Sequence, residues 1–420
     1  MKIAIVNRSD ARGGAAVVSR RLMHALRDAG ANARMLVAEK LTNDPYVEAA
    51  ASPARVRVPF LLERARVFAA NGFNRADLFK VDPATDGLPL WRHPLIAGAD
   101  AVLLNWVNQG MLSLDGVDRI ASAKPVIWTM HDLWNATGIC HHTGACERFR
   151  ENCGFCPLLG SNASACDLSH STYIRKKSLY TRRKLHFVAV SNWLERRCRE
   201  SSLMRDAAIS VIPNPFMLPE RGKIVRSDAS GRLRAVIAAA RLDDDIKGFP
   251  ILLEALRKLK NAGNELAGRL DLILCGDIRD KSLLQQIPVA WEWKGSVAPE
   301  RMPEIYSGAQ LVVSSSRYET LPGTLVEGQA YGAFPVAFDR GGQRDIIDDR
   351  ITGVLAPFGS DDNEAAENLS GALVSASEIV DSADPQELAD RLWKSVHDRF
   401  SAANVAEAYL GLITDCLSVK

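Results

Sequence analysis

The sequence predicts an α/β protein made of two consecutive doubly wound domains, each a parallel sheet with helices on both faces. Three observations predict it. The chain opens on strand, loop, helix, strand. A stretch with three prolines and little periodicity, "SVIPNPFMLPERGK" from Ser210 to Lys223, then interrupts the pattern. After it the same alternation starts again. In order, "KIAIVN" is a short apolar strand, "RSDARGG" a loop, and "AAVVSRRLMHALRDAG" a periodic helix ended by Gly30. "ARMLVA", "AVLLNW" and "PVIWTM" read as further buried strands. Beyond the break, "RAVIAAA" leads through "RLDDDIKG" into the helix "FPILLEALRKLKNAG". "LDLILCG", "AQLVVSSS" and "FPVAFD" are strands, and the amphipathic "SAANVAEAYLGLITDCL" closes the chain. The expected division is residues 1–210, residues 211–400, and a last helix, 401–420, packed back on the first domain. Two such domains facing each other would sandwich a ligand beyond the carboxyl ends of their strands.

Composition narrows the function classes. The chain has 420 residues, 47% hydrophobic and 24% charged, with a formal net charge of +2. These are values of a globular protein with more than one core, and they give no bulk attraction to nucleic acid. No window approaches the roughly 20 apolar residues of a membrane span. The apolar run in "MKIAIVN" is too short for a signal peptide, so the expected place is cytoplasmic. Two features leave a membrane surface open. Basic clusters fall at Arg175–Lys177, Arg182–Lys184 and Arg196–Arg199, and Ser52 to Phe73 interleaves arginines with Val, Leu and Phe. Each also reads as ordinary solvated helix surface, with the arginines of the second turned outward.

The stretch "RYETLPGTLVEGQAYG" carries the chemistry. A strand delivers the chain to Glu319; Pro322-Gly323 then breaks it; a helix capped by Thr324 runs through Glu327. The main-chain N–H groups of Gly323, Thr324 and Leu325 at that helix start suit a phosphate. Glu319 and Glu327 can accept hydrogen bonds from hydroxyls on either side of it, the layout of a diphosphate between a hexose and a ribose. The plainer alternative is a turn and a surface helix with two exposed glutamates. Arg241 and Lys247, in the loop after another strand of the same domain, supply the cations that a diphosphate needs.

The set Arg241, Lys247-Gly248, Glu319-x-x-Pro322 and Glu327 resembles glycosyltransferase family 4, retaining enzymes of the GT-B fold with two Rossmann-like domains. "WTMHDLWNATGIC" is similar to the branch that builds exopolysaccharides, including the colanic-acid type. The resemblance implies that Glu319 binds the donor sugar, Glu327 the ribose, and Arg241 and Lys247 the diphosphate. It implies that Gly13 and Gly14 let the backbone approach the substrates, that His131 faces the donor sugar, and that Asn214 sits near the hinge. It implies a nucleoside-diphosphate sugar as donor (UDP- or GDP-linked), a lipid-linked saccharide as acceptor, work at the inner face of the cytoplasmic membrane, and no cofactor for catalysis. The sequence departs from the pattern at Pro215, where a glycine is commoner, and at Asp345, where a glutamate is. "DDD" at Asp243–Asp245 reads as loop rather than a Mg²⁺ site.

Four of the eight cysteines, Cys140, Cys146, Cys153 and Cys156, fall within 17 residues. Clustered thiols of this spacing point to a structural zinc ion, with His141 and His142 as spare ligands; two disulfides, an iron–sulfur cluster or plain thiols are the alternatives. Against a dinucleotide-dependent oxidoreductase stands the absence of G-x-G-x-x-G after the first strand. A sugar-nucleotide epimerase and a non-catalytic sugar-nucleotide binder remain as other readings.

Overall fold

A computed structural model describes residues 1–75, 77–221 and 231–418. Lys223, in the expected break, and the last two residues of the expected closing helix lie outside the described residues. The chain forms two compact units, Met1–Pro215 with Ala402–Lys420, and Phe216–Ser401.

The first unit carries strands β1 (Lys2–Ser9), β2 (Asn32–Glu39), β3 (Val47–Ala49), β4 (Ala101–Leu104), β5 (Val126–Met130), β6 (Leu185–Ala189) and β7 (Ala208–Val211). They form one sheet in the order β3-β2-β1-β4-β5-β6-β7, with every pair parallel. Between them run α1 (Gly14–Asp28), α2 (Pro53–Ala70), α3 (Pro94–Ala97), α4 (Leu114–Ala121), α5 (Leu168–Arg182) and α6 (Asn192–Arg199). The apolar runs that read as strands are buried on both faces, β5 throughout, as a helix-covered parallel sheet demands. Gly30, at φ +88°, ends α1 with its N–H on the Arg27 carbonyl, while Ala31 N–H bonds Leu26 O.

The second unit carries β8 (Leu233–Arg241), α7 (Phe249–Asn261), α8 (Leu266–Arg269), β9 (Leu270–Asp277), β10 (Ala290–Gly295), α9 (Met302–Ser307), β11 (Leu311–Ser314), α10 (Gly323–Ala330), β12 (Phe334–Phe338), β13 (Val354–Ala356), α11 (Asp362–Ser382) and α12 (Pro385–Phe400). Its sheet is also parallel, in the order β10-β9-β8-β11-β12-β13. Its core joins Leu233, Leu272, Val313 and Phe334 on the strands to Leu252, Leu256, Leu369 and Leu373 on the helices.

The last helix, α13 (Ala402–Ser418), returns to the first unit. Val405, Ala406, Tyr409 and Ile413 join the core of β1, β2 and α1, and Tyr409 OH pairs with Thr129 Oγ1 at 2.9 Å. Each large apolar side chain buried there contributes about 1.5–3 kcal/mol. The expected break after residue 210 falls inside β7, which pairs with β6; the proline-rich stretch follows that strand, and the units part at Pro215/Phe216 and Ser401/Ala402. Phe216 N–H bonds Phe400 O at 2.9 Å, so the second unit's first and last residues are held side by side. Among the described residues no helix is long and apolar enough to cross a membrane.

Candidate active site

In the second unit the carboxyl ends of β8, β9 and β11 gather the polar residues. The loop after β8 folds into a short 3₁₀ turn, Asp245–Lys247, ended by Gly248 at φ +62°. A Cβ on Gly248 would stand 2.1 Å from the Ser315 carbonyl oxygen, so only glycine lets the two loops touch. Ser315 Oγ bonds Lys247 O at 2.8 Å, and Arg317 N–H bonds Ile246 O at 2.8 Å. That stitching sets Lys247 Nζ on Glu319 Oε1 at 2.5 Å, which also accepts from Ser316 Oγ at 3.0 Å. Residues 72 apart in sequence thus form one half-buried ion pair. Arg241, at the end of β8, donates to Asp244 at 2.7 Å and lies 3.5 Å from Asp243. The "DDD" acids therefore orient an arginine and a loop, since Asp243 also accepts from the Arg279 and Asp280 amides.

Beside these residues α10 begins. Its cap position is Pro322, with no side-chain cap, and Thr324 lies inside the first turn; the expectation of a Thr324 cap is corrected. Proline, held at φ −73°, starts the helix two residues earlier than a threonine cap would. Leu325 N–H bonds Pro322 O at 3.1 Å, and its side chain is fully buried. Thr324 and Glu327 line a cavity of about 240 Å³ with Ala238–Ala240 of β8, Cys275 and Gly276 of β9, and Met302. Gly276, at φ +139°, is required there, because a Cβ would fall 1.9 Å from Ala239 O. Sequence reasoning passed over it; the glycine closing the strand "LDLILCG" was the available signal. Gly328 packs α10 onto β11, where a Cβ would meet Val312 at 2.8 Å.

In the first unit the carboxyl ends of β1, β4 and β5 form a second polar group. His131 follows β5 directly, and its Nε2 pairs with Asn105 Oδ1 at 3.0 Å. Burial lowers its pKa to about 4, so the ring is neutral at neutral pH. The neighbouring Asp132 accepts from Trp106 Nε1 at 3.1 Å, Trp134 N–H at 2.8 Å and His141 Nδ1 at 2.9 Å. Burial alone would raise this carboxyl, but the charge and hydrogen bond of His141 bring it down to about 2. Burial would lower His141, and Asp132 more than reverses that. Asn105 Nδ2, Asn108 Nδ2 and His141 Nε2 are buried without a hydrogen-bond partner. Of this network the sequence pointed to His131, and to His141 only as a spare metal ligand; "NWVN" at the end of β4 was the missed signal. Gly13, at φ +89°, and Gly14 start α1, and a Cβ on either would meet nothing within 4 Å. Asn214 lies in the first unit, between β7 and Pro215, and is not among the residues grouped in the second.

The four clustered cysteines depart from a zinc cage. Among the described residues, no group of three or more His, Cys, Asp or Glu is arranged to hold a metal ion. Their positions serve packing instead. Cys140 bridges Val81, Cys153 Sγ accepts the Gly138 N–H at 3.1 Å, and Cys156 joins Val67, Val81, Ile139 and Leu159 in a small core. Burial pushes the Cys140 thiol up to about 12 and that of Cys156 to about 11. Lys176, from the basic run on α5, is buried rather than solvated; it donates to Trp134 O and Thr137 O beneath the Trp134 ring.

Residues 234–375 match the family model described as glycosyl transferases group 1. Among curated relatives, a GDP-mannose-dependent alpha-mannosyltransferase of Mycobacterium tuberculosis (strain CDC 1551 / Oshkosh) is 31% identical over 97 residues, 23% of this chain and 26% of its own length. The candidate colanic acid biosynthesis glycosyl transferase WcaC of Escherichia coli (strain K12) is 31% identical over 67 residues, 15% of this chain and 16% of its own length. An alpha-maltose-1-phosphate synthase of Mycolicibacterium smegmatis is 28% identical over 256 residues, 53% of this chain and 65% of its own length. The chain thus spans less than two thirds of each of these relatives. Among solved structures, a sucrose-phosphate synthase from Thermosynechococcus elongatus has a TM-score of 0.63 at 16% identity, over all of both chains. Anabaena HepE in complex with UDP and glucose has a TM-score of 0.60 at 16% identity, covering 99% of this chain and 100% of its own. The chain has the GT-B fold, and its second unit carries the glycosyl transferases group 1 match across β8 to α11.

Proposed function

We propose that the chain is a retaining glycosyltransferase that moves a sugar from a nucleoside-diphosphate sugar to a saccharide acceptor. The observation that carries this reading is the Lys247–Glu319 pair, set beside the start of α10 and a cavity lined by Thr324 and Glu327. In this reading Glu327 holds the ribose in that cavity. The cations Lys247 and Arg241, with the amides of Gly323 and Thr324, take the charge of the departing diphosphate. Glu319, freed from Lys247 as the phosphate arrives, accepts hydrogen bonds from the sugar hydroxyls. With no carboxylate assigned as nucleophile, the acceptor oxygen enters on the face that the diphosphate leaves, and the leaving phosphate takes its proton.

On the first unit, His131, neutral and anchored by Asn105, offers a hydrogen bond to a sugar hydroxyl. The unpaired donors of Asn105 and Asn108 suit acceptor hydroxyls, and buried polar atoms of this kind discriminate strongly against ligands that leave them unmet. Gly13 and Gly14 give such a ligand access to the backbone. A lipid-linked acceptor in exopolysaccharide assembly, reached from the inner face of the cytoplasmic membrane, fits the short stretch of similarity to WcaC. No step uses a metal at the cysteines.

The test incubates the chain with UDP-, GDP- and ADP-sugars, with and without saccharide acceptors. Donor consumption that requires an acceptor, with the anomeric configuration kept in the product, is expected. Interconversion of donors without acceptor would make the chain an epimerase, and binding without turnover a scaffold; either result overturns the proposal.

A further inference from the structure

Helix α2 is turned inside out. Its inward face carries Val56, Pro59, Val67 and also Glu63 and Arg64, which are 0% and 8% exposed. Arg64 donates to Val81 O at 3.1 Å and to Asp82 at 3.2 Å, and Glu63 accepts the Thr85 N–H at 3.2 Å. These buried bonds fix the helix's rotation about its axis, because breaking one would strand a charge. The outward face then shows Val58, Leu61 and Leu62, each half exposed or more, with Ala54, Ala65 and Ala69 along the same stripe. At about 100° per residue, Arg55 and Arg66 fall on one flank of that stripe, Arg66 in an ion pair with Asp86 at 2.9 Å, and Arg57 on the other. The one acid of α2, Glu63, is the buried one. Phe73, edge-on to Phe68 at 5.5 Å and 71% exposed, lies just beyond the end of α2, whereas Phe79 stacks on Phe60 on the opposite side of the helix.

We propose that this face of α2, with Phe73, docks on an anionic lipid bilayer. An apolar stripe bordered by arginines on both sides lies flat at such a surface, with the side chains among the acyl chains and the guanidinium groups on the lipid phosphates. The other basic runs do not compete for this role. Arg183 and Arg182 bond Asp118, Arg197 bonds Glu147 and Glu200, and Arg199 bonds Glu195, so their charge is largely met within the unit. Among the described residues, four of the 14 exposed large hydrophobics, Val58, Leu61, Leu62 and Phe73, lie on α2 or just beyond its end. The proposal rests on the membrane-side reading of the function and gives it a surface.

The experiment cosediments the full chain with vesicles of phosphatidylcholine alone and of phosphatidylcholine mixed with phosphatidylglycerol. Binding to the mixed vesicles is expected, with far less to phosphatidylcholine. Leu61→Ser with Leu62→Ser should weaken it at least tenfold, and each of Arg55→Gln and Arg57→Gln about fivefold, while Arg182→Gln on α5 leaves it unchanged. Transfer to a soluble saccharide, unchanged in the Leu variant, shows that the fold persists. Equal binding by the Leu variant, no binding to the mixed vesicles, or a dimer lost in that variant in place of vesicle binding would each overturn the proposal. Lys247→Ala separates the two readings, since it removes transfer and leaves vesicle binding intact. Vesicle binding without any sugar transfer would leave the docking face standing and the enzyme reading fallen.

Discussion

Lys247 and Glu319 show what single residues contribute. A lysine and a glutamate half-buried together hold each other in place until a more highly charged partner enters. Replacing Glu319 with Gln keeps the volume and removes the charge, so turnover should drop at least 100-fold, the scale of a lost transition-state contact. The melting temperature should stay within a few degrees of wild type; steady-state kinetics and calorimetry read the two effects. Near-normal rates would take Glu319 out of the site. His131 gives a pH prediction. Its folded pKa, about 4, lies below the ordinary value of about 6.5, so the unfolded chain binds the extra proton first. Stability is therefore full above about pH 6.5 and is lost as pH falls toward 4, by about 1–2 kcal/mol at pH 5. Urea denaturation from pH 7 to pH 5 should show this slope in the wild type and a smaller one in His131→Asn. Equal slopes would mean that the ring is not held neutral.

At the scale of elements, loops do the positioning and glycines permit it. Gly248→Ala would press a methyl group onto the Ser315 carbonyl at a left-handed backbone position, costing about 2 kcal/mol or more and moving Lys247 off Glu319. Gly14→Ala meets open space in the first turn of α1, so its stability should be unchanged or raised by up to about 1 kcal/mol. Denaturation of both variants checks the contrast. The strands and their parallel order of burial were legible in the sequence, because runs such as "PVIWTM" and "FPVAFD" are apolar at every position. The start of α10 was legible to within two residues, since Pro322-Gly323 marks a chain break. The rotation of α2 was not: its arginines and leucines alternate in a way that fits either face, and only the buried partners Asp82 and Thr85, over 15 residues away, decide it. The same holds for Asp132 with His141 and Trp106, whose meeting depends on the order of β4 and β5 in the sheet.

For the whole molecule, the arrangement of the chain matters. The second unit is one continuous segment and holds Arg241, Lys247, Glu319, Glu327 and the start of α10, whereas the first is completed only by α13. Removing residues 402–420 would expose the core that Val405, Tyr409 and Ile413 cover, and should destabilise the first unit by several kcal/mol. Limited proteolysis should then cut the first unit and spare Phe216–Ser401. Equal resistance of both would show that α13 is dispensable. Binding of a nucleoside-diphosphate sugar by the second unit, through Lys247, Glu327 and the start of α10, underlies every step of the proposed transfer. Calorimetric titration of the full chain with UDP-, GDP- and ADP-sugars tests it most directly. The account expects saturable binding of at least one of them, weakened tenfold or more in both Lys247→Ala and Glu327→Ala. Binding of none, or binding undiminished in both variants, would contradict it.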